Sequence, residues 1–211
     1  MHGAIKVVLL AAPIVVRALE WWVRPRKKAF RDLGDGNCPI MQPTALPAGE
    51  SRLVIVATDL GEFVIRVDGA LSPIAAGNFV ALVSCRFYDG LTFHRSATLA
   101  DGTPFVLQGG DPTGTGTGTA GYTIEDEPVT ATYRRGTVAM ARTSKPNSQS
   151  SQFFIVLDDR STVALASENT SAIFGEVVTG MDVVDAIHRA SAGRDPRAHA
   201  IIMNSVRVAP A

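Results

Sequence analysis

From Arg52 onward the chain falls into short apolar runs separated by Gly, Pro and polar residues. "RLVIVAT" is a β-branched run, and after the turn "DLG" the stretch "EFVIRV" puts Phe63, Ile65 and Val67 on one face and Glu62, Val64 and Arg66 on the other. A period of two belongs to a half-buried strand, so the pair reads as a hairpin. The period then changes: in "SPIAAGNFVALVSCRFY", Ser72 stands as an N-cap before Pro73, and Ile74, Phe79, Leu82 and Val83 gather on one side. This predicts an amphipathic helix. Further strands are predicted at "LTFH", "PFVLQG", "GTVAMA", "QFFIVL", "AIFGEVV" and "IIMNSVRV", and a second helix at "GMDVVDAIHRA". Eight strands, two helices far apart and no strand–helix–strand alternation predict a mainly β fold, a closed eight-stranded antiparallel β-barrel capped by two α-helices.

Before Arg52 the pattern is different. Residues 1–31 form an apolar and basic extension, and "VVLLAAPIVV" from Val7 to Val16 has the length of a signal-peptide core without an A-x-A site. It is too short to span a bilayer alone, and extending it takes in Arg17 and Glu20. The following "RPRKKAFR" tends to hold its side in the cytoplasm. Three readings stay open: a helix docked on a membrane surface or partner through residues 5–28, a signal or anchor, and a loosely ordered extension. Trp21 and Trp22 suit the first two. Residues 32–51 are rich in Gly and Pro and read as a linker, leaving 52–211 as one domain, expected on the cytoplasmic side.

Composition narrows the classes. Apolar residues make up 46% and charged residues 19%, which gives a real core and excludes wholesale disorder. Lys plus Arg and Asp plus Glu both total 20, so no global field favours nucleic acid as a partner. Cys38 and Cys85 are far apart and lack C-x-x-C or Cys/His spacing. Neither a metal site nor a disulfide framework is expected; Cys85 reads as a small buried hydrophobe and Cys38 as a loop thiol.

The candidate chemistry begins at "QGGDPTGTGTGTAGYTIEDE", Gln108 to Glu127, where Gly116, Gly118 and Gly121 spell G-x-G-x-x-G. A pyrophosphate fingerprint needs a helix after the glycines, and a P-loop needs a following Lys. Here an acidic stretch broken by Pro128 follows instead. No nucleotide or other cofactor is expected. The glycines read as a surface loop needing positive φ and a close backbone approach to something neutral.

In order along the chain, "NFVALVSCRFYDGLTFHR", "FVLQGGDPTGTGTGTAGYTIEDE", "GTVAMAR", "SQSSQFFIVL" and "IFGEVVTGMDVVDAI" resemble the cyclophilins, peptidyl-prolyl cis-trans isomerases, and the bacterial members most. The likeness covers about Leu53 to Val208. It implies rotation about X-Pro bonds in peptides and in unfolded or folding chains, with no cofactor and a monomeric catalyst. The chemistry suits the residue types. X-Pro rotation meets a barrier of about 20 kcal/mol but breaks no bond, so the catalyst needs a grip on the proline ring and a cation for the twisted amide.

By resemblance, Arg95 is the catalytic arginine and Gln108 holds the substrate backbone; His94 lies beside them. Phe105, Val106 and Phe154 form the proline pocket, with Gln152 as a second polar wall. Ala141 and Arg142 border the passing peptide, and Gly114 and Gly116 border the neighbouring pocket. The departures are local. "SATLADGTP" is a longer loop beside Arg95 than the family has; Val106 stands where Met is common, and Arg142 where Asn is common. Where the family places a Trp or other large residue and a His or Tyr, this chain has "DDRSTVALASENTSA", with Leu165 the apolar match and Ser171 at the His or Tyr position. That substitution sets a second reading beside the enzyme, a proline-peptide binding module with weakened turnover. A lipocalin-type carrier would need an open interior, which bulky inward Phe, Ile and Val oppose. A hydrolase built on His94 and Asp111 lacks a nucleophile elbow.

Overall fold

The computed structural model describes residues 38–191 and 200–210. The extension over 1–31, with its expected contact through residues 5–28, lies outside the described residues. The hairpin is present as β1 (Ser51–Thr58) and β2 (Gly61–Asp68), followed by α1 (Pro73–Ser84). Then come β3 (Thr92–Phe93), β4 (Arg95–Thr98), β5 (Pro104–Gly109), β6 (Thr137–Met140) and β7 (Phe153–Val156). A 3-10 turn over Asp159–Ser161 leads into α2 (Thr162–Ala166), and β8 (Ile173–Thr179), α3 (Met181–Ser191) and β9 (Ile201–Val208) complete the order.

The strands form one antiparallel sheet in the order β3-β9-β1-β2-β8-β6-β7-β5-β4. A further antiparallel bridge joins Thr92 to Asp111, just past β5, so the sheet curls into a nearly closed barrel. Among the described residues the barrel is the expected one with nine strands in place of eight and three helices in place of two. The extra strand comes from the longer loop after His94. Ser96 pairs with Leu107 and Thr98 with Pro104, and the Leu99 N–H donates to the Thr103 carbonyl at 2.8 Å, turning the insertion into a hairpin.

Alternation along β2 sends Phe63, Ile65 and Val67 into a fully buried interior. There Phe79 from α1 packs against Phe174, Tyr88 and Phe153 with ring centroids 4.9, 5.2 and 5.3 Å away. Each such aromatic contact adds to simple area burial. Among the described residues the interior is filled by buried apolar side chains, where a lipocalin-type carrier would be open.

The cap of α1 differs from expectation. Ser72 precedes Pro73 as predicted, but its side chain makes no capping bond. The Ile74 and Ala75 N–H groups donate to the Glu127 carboxylate at 2.8 and 2.9 Å, so an acid 53 and 52 residues beyond these donors takes the cap's place. A carboxylate there also complements the helix dipole.

The two cysteines require a correction: Cys38 and Cys85 are joined in a disulfide, with Cα atoms 5.1 Å apart. Neither is the free side chain the spacing suggested. The described part of the expected linker, residues 38–50, runs against α1 as a strap. The Leu46 N–H donates to the Pro73 carbonyl at 2.9 Å, and the Glu125 N–H donates to Gln42 Oε1 at 2.8 Å. Leu46 is buried, and Gly77 lets the strap's backbone come close, since a Cβ there would strike the Thr44 carbonyl. The bridge ties the strap at its far end, and no local spacing signals such a pairing across 47 residues.

Candidate active site

Strand register assembles the site. Arg95 on β4 lies opposite Gln108 on β5, Gln108 lies opposite Phe154 on β7, and Phe154 lies opposite Ala139 on β6. Directly opposed residues share a face of the sheet. One residue along each strand, Leu107, Ile155 and Val138 point into the barrel core, so the first set faces outward into a groove.

Within that groove the polar side chains form a relay. Arg95 Nη1 donates to Gln108 Oε1 at 3.0 Å, and Gln108 Nε2 donates to Gln152 Oε1 at 2.9 Å. Gln152 Nε2 then donates to the carbonyls of Gly116 and Gly118 at 3.0 and 2.8 Å. Each member has its next atom held, which costs an exposed guanidinium much of its wandering and fixes its direction.

The relay ends on the glycine loop, and the loop's centre is Asp111. Its carboxylate accepts from the Thr113 N–H and hydroxyl at 2.7 and 2.8 Å, from the Thr115 N–H at 2.9 Å, and from the Gly116 N–H. This is an anion nest, and the anion is the chain's own. The amides of the glycine loop thus turn to an internal charge, while Gly116 still borders the cavity. Converging amides need a charge to converge on, and Asp111 supplies it, which is also why the stretch resembles a phosphate loop. Gly116 holds φ at +92°, and a Cβ on Gly118 would run into the carboxylate. Burial raises the Asp111 pKa, but the donated N–H and O–H groups outweigh it and hold the acid below its usual value. It stays ionised.

The groove opens on a cavity of about 620 Å³. Arg95, Gln108 and His94 line one part of it, Phe105, Val106 and Phe154 an apolar part, and Ala141, Arg142, Leu165, Ser171 and Gly116 the remainder. Two expected residues are not among those lining the cavity: Gln152 bonds to Gln108, and Gly114 donates its N–H to the Asp111 carbonyl at 3.1 Å. Tyr133, Thr115, Ala164, Glu168 and Thr170 also line the cavity and were not foreseen. Tyr133 sits in a stretch with no strand or helix period, so nothing local marks it.

His94 is buried, and neither ring nitrogen makes a hydrogen bond of good geometry. Burial lowers its pKa, against the pull of the nearby Asp111 carboxylate, the Thr92 backbone and Gln152. Burial likewise lowers His188 on α3, which shares a 2.7 Å hydrogen bond between Nδ1 and Ser96 Oγ. As pH falls below about 6.5 the unfolded chain protonates these rings before the folded one does. Stability is therefore expected to be full above neutrality and to decline on acidification from pH 7.5 to 5.5. Urea midpoints at the two values check this; equal midpoints would contradict it.

The family model for cyclophilin type peptidyl-prolyl cis-trans isomerases/CLD matches residues 53–208. The chain belongs to the cyclophilin family. A peptidyl-prolyl cis-trans isomerase of Acinetobacter baylyi is 39% identical over 140 residues, which is 65% of this chain and 72% of that protein. Peptidyl-prolyl isomerase CWC27 of Cryptococcus neoformans is 38% identical over 132 residues, 59% of this cyclophilin but 25% of that longer protein. The crystal structure of a cyclophilin type isomerase from Cryptosporidium parvum superimposes with a TM-score of 0.64 at 27% identity, covering 77% of this chain and 99% of the other. A structure of the same protein determined in the presence of the dipeptide Ala-Pro gives 0.63 at 28% identity, over 76% of this chain and 100% of the other. The matched span agrees with the motif order read from the sequence, and the barrel is that of the family.

Proposed function

We propose that this cyclophilin accelerates cis–trans rotation of X-Pro bonds in peptides and in unfolded or folding proteins. One observation carries the proposal: a guanidinium held by Gln108 at 3.0 Å beside an apolar recess made by Phe105, Val106 and Phe154. A proline ring is compact and apolar and suits such a recess. As the amide twists, its nitrogen loses conjugation and regains a lone pair. A fixed cation donor stabilises that nitrogen more than the planar one, so its interaction favours the transition state over either ground state. Gln108 aims Arg95, and Ala141 and Arg142 border the passing chain. No bond is made or broken.

The test is the cis-to-trans exchange rate of a short Ala-Pro-Phe peptide with the purified full chain. Acceleration above the uncatalysed rate, which takes tens of seconds or longer, is the expected result. Peptide binding without acceleration would favour the second reading, a proline-peptide binding module. The observation on that side is that α2 brings only Leu165 and Ala164 to the cavity where the family has a large aromatic. Absence of both effects would remove both readings.

As to compartment, cytosolic thiols are kept reduced. The Cys38–Cys85 bridge supports placement of the domain in an oxidising compartment in preference to the cytoplasm first expected. A monomer with proline-containing client segments remains the working assignment.

A further inference from the structure

The side of the proline recess formed by 162–171 has few large side chains: Val163, Ala164, Ala166 and Ser167 to Thr170 are exposed, and Leu165 alone packs inward. A wall of this composition would be soft without external ties. Two residues supply them. The Thr162 hydroxyl, at the start of the segment, donates to the Tyr133 carbonyl at 2.7 Å. The Tyr133 hydroxyl donates to the Ser171 carbonyl, at the end of the segment, also at 2.7 Å. One residue thus grips both ends. Beside it, Arg142 Nη1 donates to the Thr170 carbonyl at 3.2 Å while its other nitrogens hold the Thr143 and Lys145 carbonyls and it ion-pairs with Asp126 at 3.1 Å.

Tyr133 is 2% exposed, and its ring belongs to the apolar cluster that contains Val106, Phe154 and Leu165. It therefore faces the same recess as the proline-pocket residues. Burial pushes its phenol up to about 12, so it remains a donor at any working pH.

We propose that Tyr133 is a positioning residue that, with Arg142, stretches the 162–171 segment into a main-chain wall for the proline ring, where a large side chain would otherwise stand. The proposal rests on the reading of the groove as an X-Pro site. Two carbonyls of adjacent residues are fixed from behind, and Leu165 is set against Phe154 and Val106. Arg95 and Gln108 are untouched by this clamp, so its loss acts on binding of the ring more than on rotation once bound.

The test compares wild type with Tyr133→Phe, which keeps the ring, and Thr162→Val, which releases the other end. KM for the Ala-Pro-Phe peptide is expected to rise about threefold to tenfold in each, the scale of one hydrogen bond, with kcat little changed. Amide hydrogen exchange over 162–171, without peptide, is expected to speed up in both variants while exchange in β5 and β7 is unaltered. Wild-type KM and wild-type exchange in both variants would overturn the wall proposal and leave the isomerase reading standing. If wild type binds the peptide without turning it over, the isomerase reading fails alone, and Kd by NMR titration replaces KM: weaker binding in the variants supports the wall, equal binding overturns it. If wild type does not bind the peptide, the wall proposal falls with the groove reading.

Discussion

Arg95→Ala is expected to lower kcat/KM for Ala-Pro-Phe exchange by about 10²–10³, the usual loss when one aimed transition-state donor is removed. The side chain is exposed and contributes nothing to the core, so the thermal midpoint should stay close to that of wild type. Among the described residues no salt bridge engages it. Its charge is free for the substrate, and Gln108 Oε1 is the acceptor that orients it. Arg95→Lys keeps a charge but loses the planar fork that both grips Gln108 and meets the amide, so an intermediate rate is expected. Peptide affinity measured by NMR should change much less than the rate. An alanine variant that keeps most of the wild-type rate would show that the twisted amide is stabilised elsewhere in the groove.

The second large effect is on stability. Opening the Cys38–Cys85 bridge, by reduction or by Cys38→Ser with Cys85→Ser, releases a loop spanning 47 residues. Loop-closure entropy for that length is about 4 kcal/mol. For a domain of this size the loss corresponds to a fall of roughly 10 °C in Tm. The strap should open first, seen as faster exchange of the Leu46 amide and of the first turn of α1. Catalysis below the new midpoint should be largely preserved, because every lining residue of the groove lies between His94 and Ser171. Identical midpoints for the reduced and oxidised protein would show that the strap's own contacts with α1 suffice.

Much of the fold was legible because strands and helices announce themselves over a few residues. Phe63, Ile65 and Val67 alternate, and alternation alone places them inside. The groove residues Arg95, Gln108 and Phe154 came from the resemblance, and strand register then sets them on one outward face. Motif order named the family, and the family match over 53–208 agrees with it. Reading failed where a residue's partner is remote in sequence. Ser72 has the composition of a cap, yet Glu127 takes the role because the loop after the glycines is folded back onto α1. The glycine loop escaped reading for another reason: Asp111 lies two to five residues from the amides it accepts from, but the direction a loop's amides take is carried by no period.

What the sequence by itself determined is most of the elements and which side of each is apolar; the groove residues from Arg95 to Phe154 came from the family resemblance. The elements and their faces depend on backbone periodicity, which every short window of the chain carries. What only the tertiary structure decided is the pairing of Cys38 with Cys85 and the grip of Tyr133 on Thr162 and Ser171. Each of these joins groups whose separation along the chain sets no local period. A hydrogen bond or a bridge between them becomes favourable only after the barrel has spent the entropy of bringing them together.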